Sequence, residues 1–338
     1  MTRPIHRQLL SLAIAAAAMA IVVPPLNAYL KLGTPVGNTT VTLQWKTMPA
    51  RYYVTNTGVQ NVSPDQFRAA IDASFSTWAQ VPTSTFSATD AGFTSARPFD
   101  DDGASVLGFD NRPDLDRVLG ATTFIINTLT GEIVESDIFF NSAFPWSTSS
   151  AGETGRYDLQ SIATHEIGHF QGLGHSALGE TELRSGGGRR VIASGAVMFP
   201  IAFSAGNIVG RTLQPDDIAG VSDIYPDQNF RGTTGTISGR VTKNGQGVYG
   251  AHVIALSLTT GKMIANFSLD SSGTFAIAGL EPGAYAVRAE PLDDADIDSF
   301  FDQPPNVDLN FKPTFYTGVV VAPRGGSAGN IEVKVDPK

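Results

Sequence analysis

The stretch "THEIGHFQGLGHSA", residues 164–177, holds three of the chain's five histidines, His165, His169 and His175, with a glutamate at 166. The segment 158–174, "DLQSIATHEIGHFQGLG", reads as a helix with Asp158 as its cap. On such a helix His165 and His169 stand about 40 degrees apart around the axis and about 6 Å apart along it. Both imidazoles then leave one face and can reach one ion. Gly172 and Gly174 make it hard for the helix to continue, and glycine readily takes the left-handed conformation that turns a chain back. His175, beyond that turn, can supply a third nitrogen from a new direction. Three neutral imidazoles leave one position of a tetrahedral zinc open, which suits a catalytic ion better than a structural one. Water in that position has its pKa lowered towards about 7. Glu166 is rotated off the ligand face, so it can accept that water's proton instead of binding metal. A lone HExxH arises by accident in roughly one chain per hundred, and the added Gly172 and His175 reduce that to on the order of a few chains per million.

Length and composition set the context for this site. At 338 residues the expectation is two domains. With 42% hydrophobic and 16% charged residues, the chain can bury a substantial core. A net charge of -9 argues against a nucleic-acid partner, because no basic surplus is present to neutralise phosphates. Residues 1–28 read as a secretory signal: Arg3 and Arg7, an apolar run from Leu9 to Val23, the break at Pro24-Pro25, and Ala28 as a cleavage point. The competing reading is an uncleaved anchor, but a run of about 15 residues is short for a span of roughly 20. The expected mature protein is therefore secreted, with no stable membrane insertion. Export permits disulfides, yet the chain has no cysteine, so stability is expected from core burial and bound metal.

The chain divides into two compositional zones. Between about 40 and 230, strand-like and helix-like stretches mix. "TVTLQW" (40–45) and "RYYV" (51–54) read as strands of one sheet. "SPDQFRAAIDASFSTWAQ" (63–80) opens with Ser63 as N-cap and Pro64 at the first helical position, and Phe67, Ala70, Ile71, Phe75 and Trp78 keep to helical spacing. "ASVLGF" (104–109), "ATTFIIN" (121–127) and "SDIFFN" (136–141) read as further strands, and "PDDIAGVSDIY" (215–225) as a third helix. After Asn229 the helical patterns stop, and short strands spaced by glycine turns indicate a β-sandwich. The fold class expected is α+β, a twisted mixed sheet with three helices at 40–230, followed by an all-β sandwich at 231–338, with 29–39 as a short leading segment.

HEIGHFQGLGHS resembles the HExxHxxGxxH motif of the metzincin zinc endopeptidases, and Ser176 matches their matrixin branch. The resemblance implies that His165, His169 and His175 bind zinc and that Glu166 is general base and later proton donor. It also implies a methionine turn beneath the metal, for which "SGAVMFP" (194–200) offers Met198, with Phe199 and Pro200 beginning the wall of the pocket beyond. "PFDDDGASVLGFD" (98–110) resembles the edge-strand region of matrixins, and "LQPDDIAGVSDIY" their closing helix. Residues Ile201, Phe203 and Ile208 then suggest an apolar substrate pocket. The second, structural zinc of animal matrixins is not expected, since only His6 and His252 remain to hold it, and a cysteine switch is impossible. Any propeptide would have to be very short.

Calcium is the natural substitute stabiliser. Asp100, Asp101, Asp102, Asp110, Glu135 and Asp137 could supply hard oxygen ligands, or could equally be solvated loop acids. The second zone resembles the carboxypeptidase regulatory-like β-sandwich family in "ISGRVTKNGQGVYGAHVIAL" and "GTFAIAGLEPGAYAVRAE", which implies an accessory module without chemistry of its own. His252 there reads as a structural residue. The stretch 293–308, with six aspartates and no basic residue, reads as a solvated loop.

Two functional readings stand side by side. One is a secreted zinc endopeptidase acting on protein or peptide substrates. The other is a surface-binding or adhesive protein that uses the metzincin-like unit as a scaffold and the sandwich to bind.

Overall fold

The computed structural model describes residues 31–37, 39–301 and 307–338, so the expected signal at 1–28 lies outside the described residues. The first unit contains β1 (Gly33–Val36), β2 (Thr39–Thr42), β3 (Ala50–Thr55), α1 (Pro64–Ala79), β4 (Ala88–Thr94), β5 (Val106–Asp110), β6 (Gly120–Asn127) and β7 (Glu132–Asn141). It continues through β8 (Trp146–Ser147), β9 (Tyr157–Asp158), α2 (Leu159–Phe170), β10 (Gly179–Leu183), β11 (Arg189–Ser194) and α3 (Pro215–Ile224). Among the described residues no helix is long and apolar enough to cross a membrane.

Five strands make the main sheet in the order β4-β3-β5-β7-β6. β3, β4, β5 and β7 run parallel, and β6 returns antiparallel along β7. Helix α1 starts where local chemistry dictates: the Ser63 hydroxyl accepts from the Gln66 amide, the Gln66 side chain accepts from the Ser63 amide, and Pro64 occupies the first turn. Its face of Phe67, Ala70, Ile71, Phe75 and Trp78 is buried against Val54, Leu107, Ile138 and Phe140 of the sheet and Ile167 and Phe170 of α2. Trp78 Nε1–H donates to the Thr164 carbonyl at 2.8 Å, which fixes α2 against α1 in register.

The structure moves two strands from where sequence reading put them. The edge strand was expected around 104–109, but β5 is interior, between β3 and β7, with Val106 and Leu107 fully buried. A continuous buried run of this kind belongs to a parallel strand covered on both faces. The edges are β4 and β6; β6 is the antiparallel hairpin partner of β7, half-buried along its length except at Thr123 and Asn127. The segment 40–45 does not extend the main sheet either. Thr39–Thr42 pairs with Gly33–Val36 in a separate two-stranded ribbon, and Gln44 touches the main sheet by a single bridge to Glu132.

The second unit is built from β12 (Gly235–Lys243), β13 (Gln246–Gly247), β14 (His252–Ser257), β15 (Met263–Phe267), β16 (Thr274–Leu280), β17 (Gly283–Glu290), β18 (Thr314–Phe315), β19 (Val320–Ala322) and β20 (Ser327–Val335). One sheet joins β13, β12, β16 and β20, and the other joins β15, β14, β17, β18 and β19. Ile237, Val241, Val253, Ile277, Val287 and Val333 close the core between them.

The two units share buried surface. Leu178 and Ala196 pack with Ile254 and Ala265, and Ala177 packs with Phe267, Leu292, Ala295, Phe300 and Phe301. The start of the aspartate-rich stretch is therefore not a solvated loop as expected. Among its aspartates, Ala295, Phe300 and Phe301 are buried in one cluster with Ala177 of the first unit and Phe267 of the second.

Candidate metal centre

Asp158 accepts from the Ser161 amide at 2.8 Å and caps α2, while the Arg211 guanidinium donates to both oxygens of the same carboxylate. The helix thus begins at a fixed point and carries His165, Glu166 and His169 at defined heights. It ends at Gly172, whose φ of +97 is left-handed; a Cβ there would lie 2.2 Å from the Leu43 carbonyl oxygen. The turn delivers His175 to the other two imidazoles.

Among the described residues, His165, His169 and His175 form the one group of three or more potential ligands whose donor atoms gather, all within 4.8 Å of one another. Nε2 of His169 and Nε2 of His175 are 3.1 Å apart. Each Nδ1 is turned outward to a main-chain carbonyl: His165 to Val197 at 2.8 Å, His169 to Leu173 at 2.8 Å, and His175 to Ser299 at 2.5 Å. A carbonyl only accepts, so each Nδ1 carries the proton and each Nε2 presents a lone pair. Burial, reinforced by the neighbouring imidazole of His175, pushes the His165 ring down to about 3, and burial lowers His169 and His175 as well. All three rings are neutral at pH 7. Nitrogens at this spacing suit an ion held at about 2.0–2.1 Å by imidazoles, so the residues fit zinc.

Val197, whose carbonyl accepts from His165, is followed by Met198, the residue that the matrixin resemblance would place in a methionine turn. Met198 is buried, and Gly168 of α2 makes room for it: a Cβ at 168 would meet its Sδ at 2.2 Å. The turn is held by Asp217 at the start of α3, whose carboxylate accepts from the amides of Val197 at 2.8 Å, Met198 at 3.1 Å and Gln214 at 2.8 Å. Asp217 thereby fixes the Val197 carbonyl that orients His165. Asp216, its neighbour, accepts from the Ala265 amide of the second unit at 2.8 Å and from the Ser176 hydroxyl.

Glu166 is buried on the side of α2 that faces β6. Thr122 Oγ1 lies 2.8 Å from its Oε2 and donates to it. Burial raises the Glu166 carboxyl to about 7, opposed by the Thr122 hydrogen bond. A carboxyl in that range exchanges a proton readily near neutrality, which fits a general base. The cleft between β6 and the methionine turn is also lined by Phe199, Pro200, Ile201 and Phe203, whereas Ile208 is not among its lining residues.

Among the described residues, the carboxylates of the expected calcium residues do not converge as the three imidazoles do. Glu135 accepts from the Gly103 amide at 2.5 Å, and Asp137 accepts from the amides of Phe99 and Val106. Asp102 and Asp110 bond the amides of Ala104 and Asn111 beside them. Burial lifts Asp137 to about 6 and raises Glu135. These carboxylates tie the 99–106 loop to β7. Asp100 and Asp101 stand exposed at the tip of that loop. His252 is buried with Nδ1 3.0 Å from Glu290, as a structural residue would be. Sequence reading missed Thr122, Asp216, Asp217 and Ser299. Only the Pro-Asp-Asp opening of α3 carried a local signal, that of a helix cap.

A strand-edged cleft floored by three converging imidazoles, with a buried glutamate beside them, defines a metallopeptidase-like unit. Residues 44–183 match the family model of the matrixins, and residues 236–293 match that of the carboxypeptidase regulatory-like domain. Metalloendoproteinase 2-MMP of Arabidopsis thaliana is 35% identical over 82 residues, 24% of this chain and 17% of that protein. Metalloendoproteinase 1-MMP of the same plant is 38% identical over 89 residues, 26% of this chain and 20% of that protein. The chain spans a fifth or less of the length of these curated relatives. Among solved structures, the major pilin subunit BcpA of Bacillus cereus aligns at a TM-score of 0.20 and 17% identity, covering 31% of each chain, a likeness that carries no argument. The chain carries a matrixin domain followed by a carboxypeptidase regulatory-like domain.

Proposed function

We propose that the chain is a secreted zinc-dependent endopeptidase that hydrolyses peptide bonds in extended polypeptides. The observation that carries this reading is the convergence of three outward-anchored imidazoles beside a buried glutamate, under a free strand edge. His165, His169 and His175 would hold the zinc, which when bound supplies Lewis-acid polarisation of the scissile carbonyl and lowers the pKa of water.

The chain's own residues do the rest. An extended substrate adds to the open edge of β6 through main-chain hydrogen bonds, which places its carbonyl over the imidazoles and beside Glu166. Thr122 holds Glu166 in one rotamer. The carboxylate takes a proton from the attacking water as the new C–O bond forms, and passes it to the leaving amine as the C–N bond breaks. The apolar side chains of Ile201 and Phe203 favour apolar substrate residues at that end of the cleft.

The test measures zinc content and casein cleavage for the wild-type chain and for Glu166→Gln, with and without a chelator. A single zinc per chain, with cleavage lost in the variant and under chelation, is expected. A folded chain without zinc would remove the peptidase reading and leave the surface-binding one.

A further inference from the structure

One of the three imidazoles is anchored from outside the matrixin domain. His165 and His169 donate to Val197 and Leu173, which belong to the same unit. His175 donates to Ser299, 124 positions further along the chain, on the segment that follows β17 of the sandwich.

That segment is pinned on both sides of the carbonyl. Upstream, the Asp294 carboxylate accepts from the Thr181 amide at 2.7 Å, and the Thr181 hydroxyl donates to the Asp294 carbonyl at 2.7 Å. Immediately downstream, Phe300 and Phe301 are 5% and 9% exposed and lie against Phe267, at centroid separations of 5.6 and 5.7 Å. The same cluster includes Ala177, two positions beyond His175. Between these anchors a single turn, Ile297–Ser299, aims the Ser299 carbonyl at the ring. His175 itself follows Gly172 and Gly174, and without an outer partner its ring would have no fixed orientation.

We propose that Ser299 is a positioning residue of the metal centre: its carbonyl sets the tautomer and orientation of His175, which makes the β-sandwich part of the catalytic unit. The proposal rests on the reading of His165, His169 and His175 as zinc ligands. Outer partners of metal-bound histidines typically contribute 10- to 100-fold in affinity, and loss of this one should fall within that range.

The experiment uses the full chain. Two glycines inserted between Asp298 and Ser299 let the carbonyl drift while the aromatic cluster stays intact. Phe300→Ala loosens the same carbonyl from the other side, with Phe300→Leu as its conservative rescue. Zinc affinity is read by competition with a chromophoric chelator, and the protonation of each imidazole by proton–nitrogen correlation spectra. The expected result is a zinc Kd weakened roughly 10- to 100-fold in the insertion variant, with changed His175 resonances and unchanged His165 and His169 resonances, and recovery in Phe300→Leu. Folded variants with a zinc Kd within about twofold of wild type and unmoved His175 resonances would overturn the proposal while leaving the zinc site standing. Absence of any zinc-dependent change at all three imidazoles in the wild type would overturn the zinc reading, and this proposal with it. If Phe300→Ala does not fold, the insertion variant decides alone.

Discussion

Thr122 Oγ1 stands 2.8 Å from Glu166 Oε2, so the strand whose edge is proposed to receive substrate also holds the proposed general base. The hydrogen bond favours the charged carboxylate and works against the burial that lifts Glu166 to about 7. Thr122→Val removes the donor at nearly constant volume, so the Glu166 pKa should rise further. Because the base acts deprotonated, the acid limb of kcat/KM should move to higher pH, by on the order of one unit for a hydrogen bond to a charged group. Thr122→Ser should restore it. The pH dependence of kcat/KM for the three proteins checks this, and an unmoved limb would mean Thr122 does not act on the base.

The Asp217 carboxylate collects three amides, from Val197, Met198 and Gln214, in a buried place. Asp217→Ala leaves all three without an acceptor, and an orphaned buried donor costs about 1–3 kcal/mol. The Met198 amide is buried and the other two are half-buried, so we expect a stability loss of about 1–3 kcal/mol by denaturant unfolding. Asp217→Asn, which keeps one acceptor oxygen, should lose less. The Val197 carbonyl loosens with the turn, so Asp217→Ala should also weaken zinc binding through His165. Unfolding midpoints that coincide with wild type would contradict this account.

Much of the candidate site's geometry was legible because its parts are local. Ser63, Pro64 and Gln66 start α1, Asp158 starts α2, and the four-residue spacing of His165 and His169 follows from helical pitch alone. The chain reversal at Gly172 is equally local, since its backbone angle excludes most side chains. The edge strand was not legible. "ASVLGF" and "ATTFIIN" are both short β-branched runs, and neither encodes which will be flanked on two sides. The outer partners of the three histidines were hidden for a similar reason. A carbonyl acceptor such as Ser299 can come from any residue type, so no composition or spacing marks it. The aspartates around Ser299 looked solvated because their charge masks the apolar positions Leu292, Ala295, Phe300 and Phe301 between them. Those four residues were the one available signal that the segment docks.

Asp216 gives the folded chain a pH signature. Burial raises its carboxyl to about 7 from an ordinary 3.8, opposed by hydrogen bonds from Ala265 and Ser176. The folded state therefore holds a proton that the unfolded state has already released between those values. The resulting stability is fully present below about 3.8 and is lost as pH rises through about 7. The three histidines have the opposite sign: with lowered folded pKa values, their contribution is present above the ordinary imidazole range and is lost as pH falls. A difference between wild type and Asp216→Asn cancels the histidine contribution. In the zinc-free chain, wild-type stability relative to Asp216→Asn should decline steadily from pH 4 to pH 7, as measured by urea unfolding. A constant difference across that range would show that Asp216 does not titrate there.

Gly168 sets helix propensity against packing at the floor of the site. On propensity alone, Gly168→Ala in the middle of α2 should stabilise by up to about 1 kcal/mol. The new Cβ, however, would lie 2.2 Å from Met198 Sδ and 3.0 Å from Trp78 Cζ2. Met198 and Trp78 are 2% and 0% exposed, so neither has space to retreat. Overpacking a filled core costs about 1–3 kcal/mol, which outweighs the propensity gain. The expected result is a net loss of on the order of 1–2 kcal/mol. Since Met198 shares its turn with the Val197 carbonyl that orients His165, zinc affinity should fall along with stability. Met198→Ala in the same background removes the atom that clashes, so Gly168→Ala should cost less there than in the wild-type chain. Additive costs in the double variant would show that the two residues do not compete for one space.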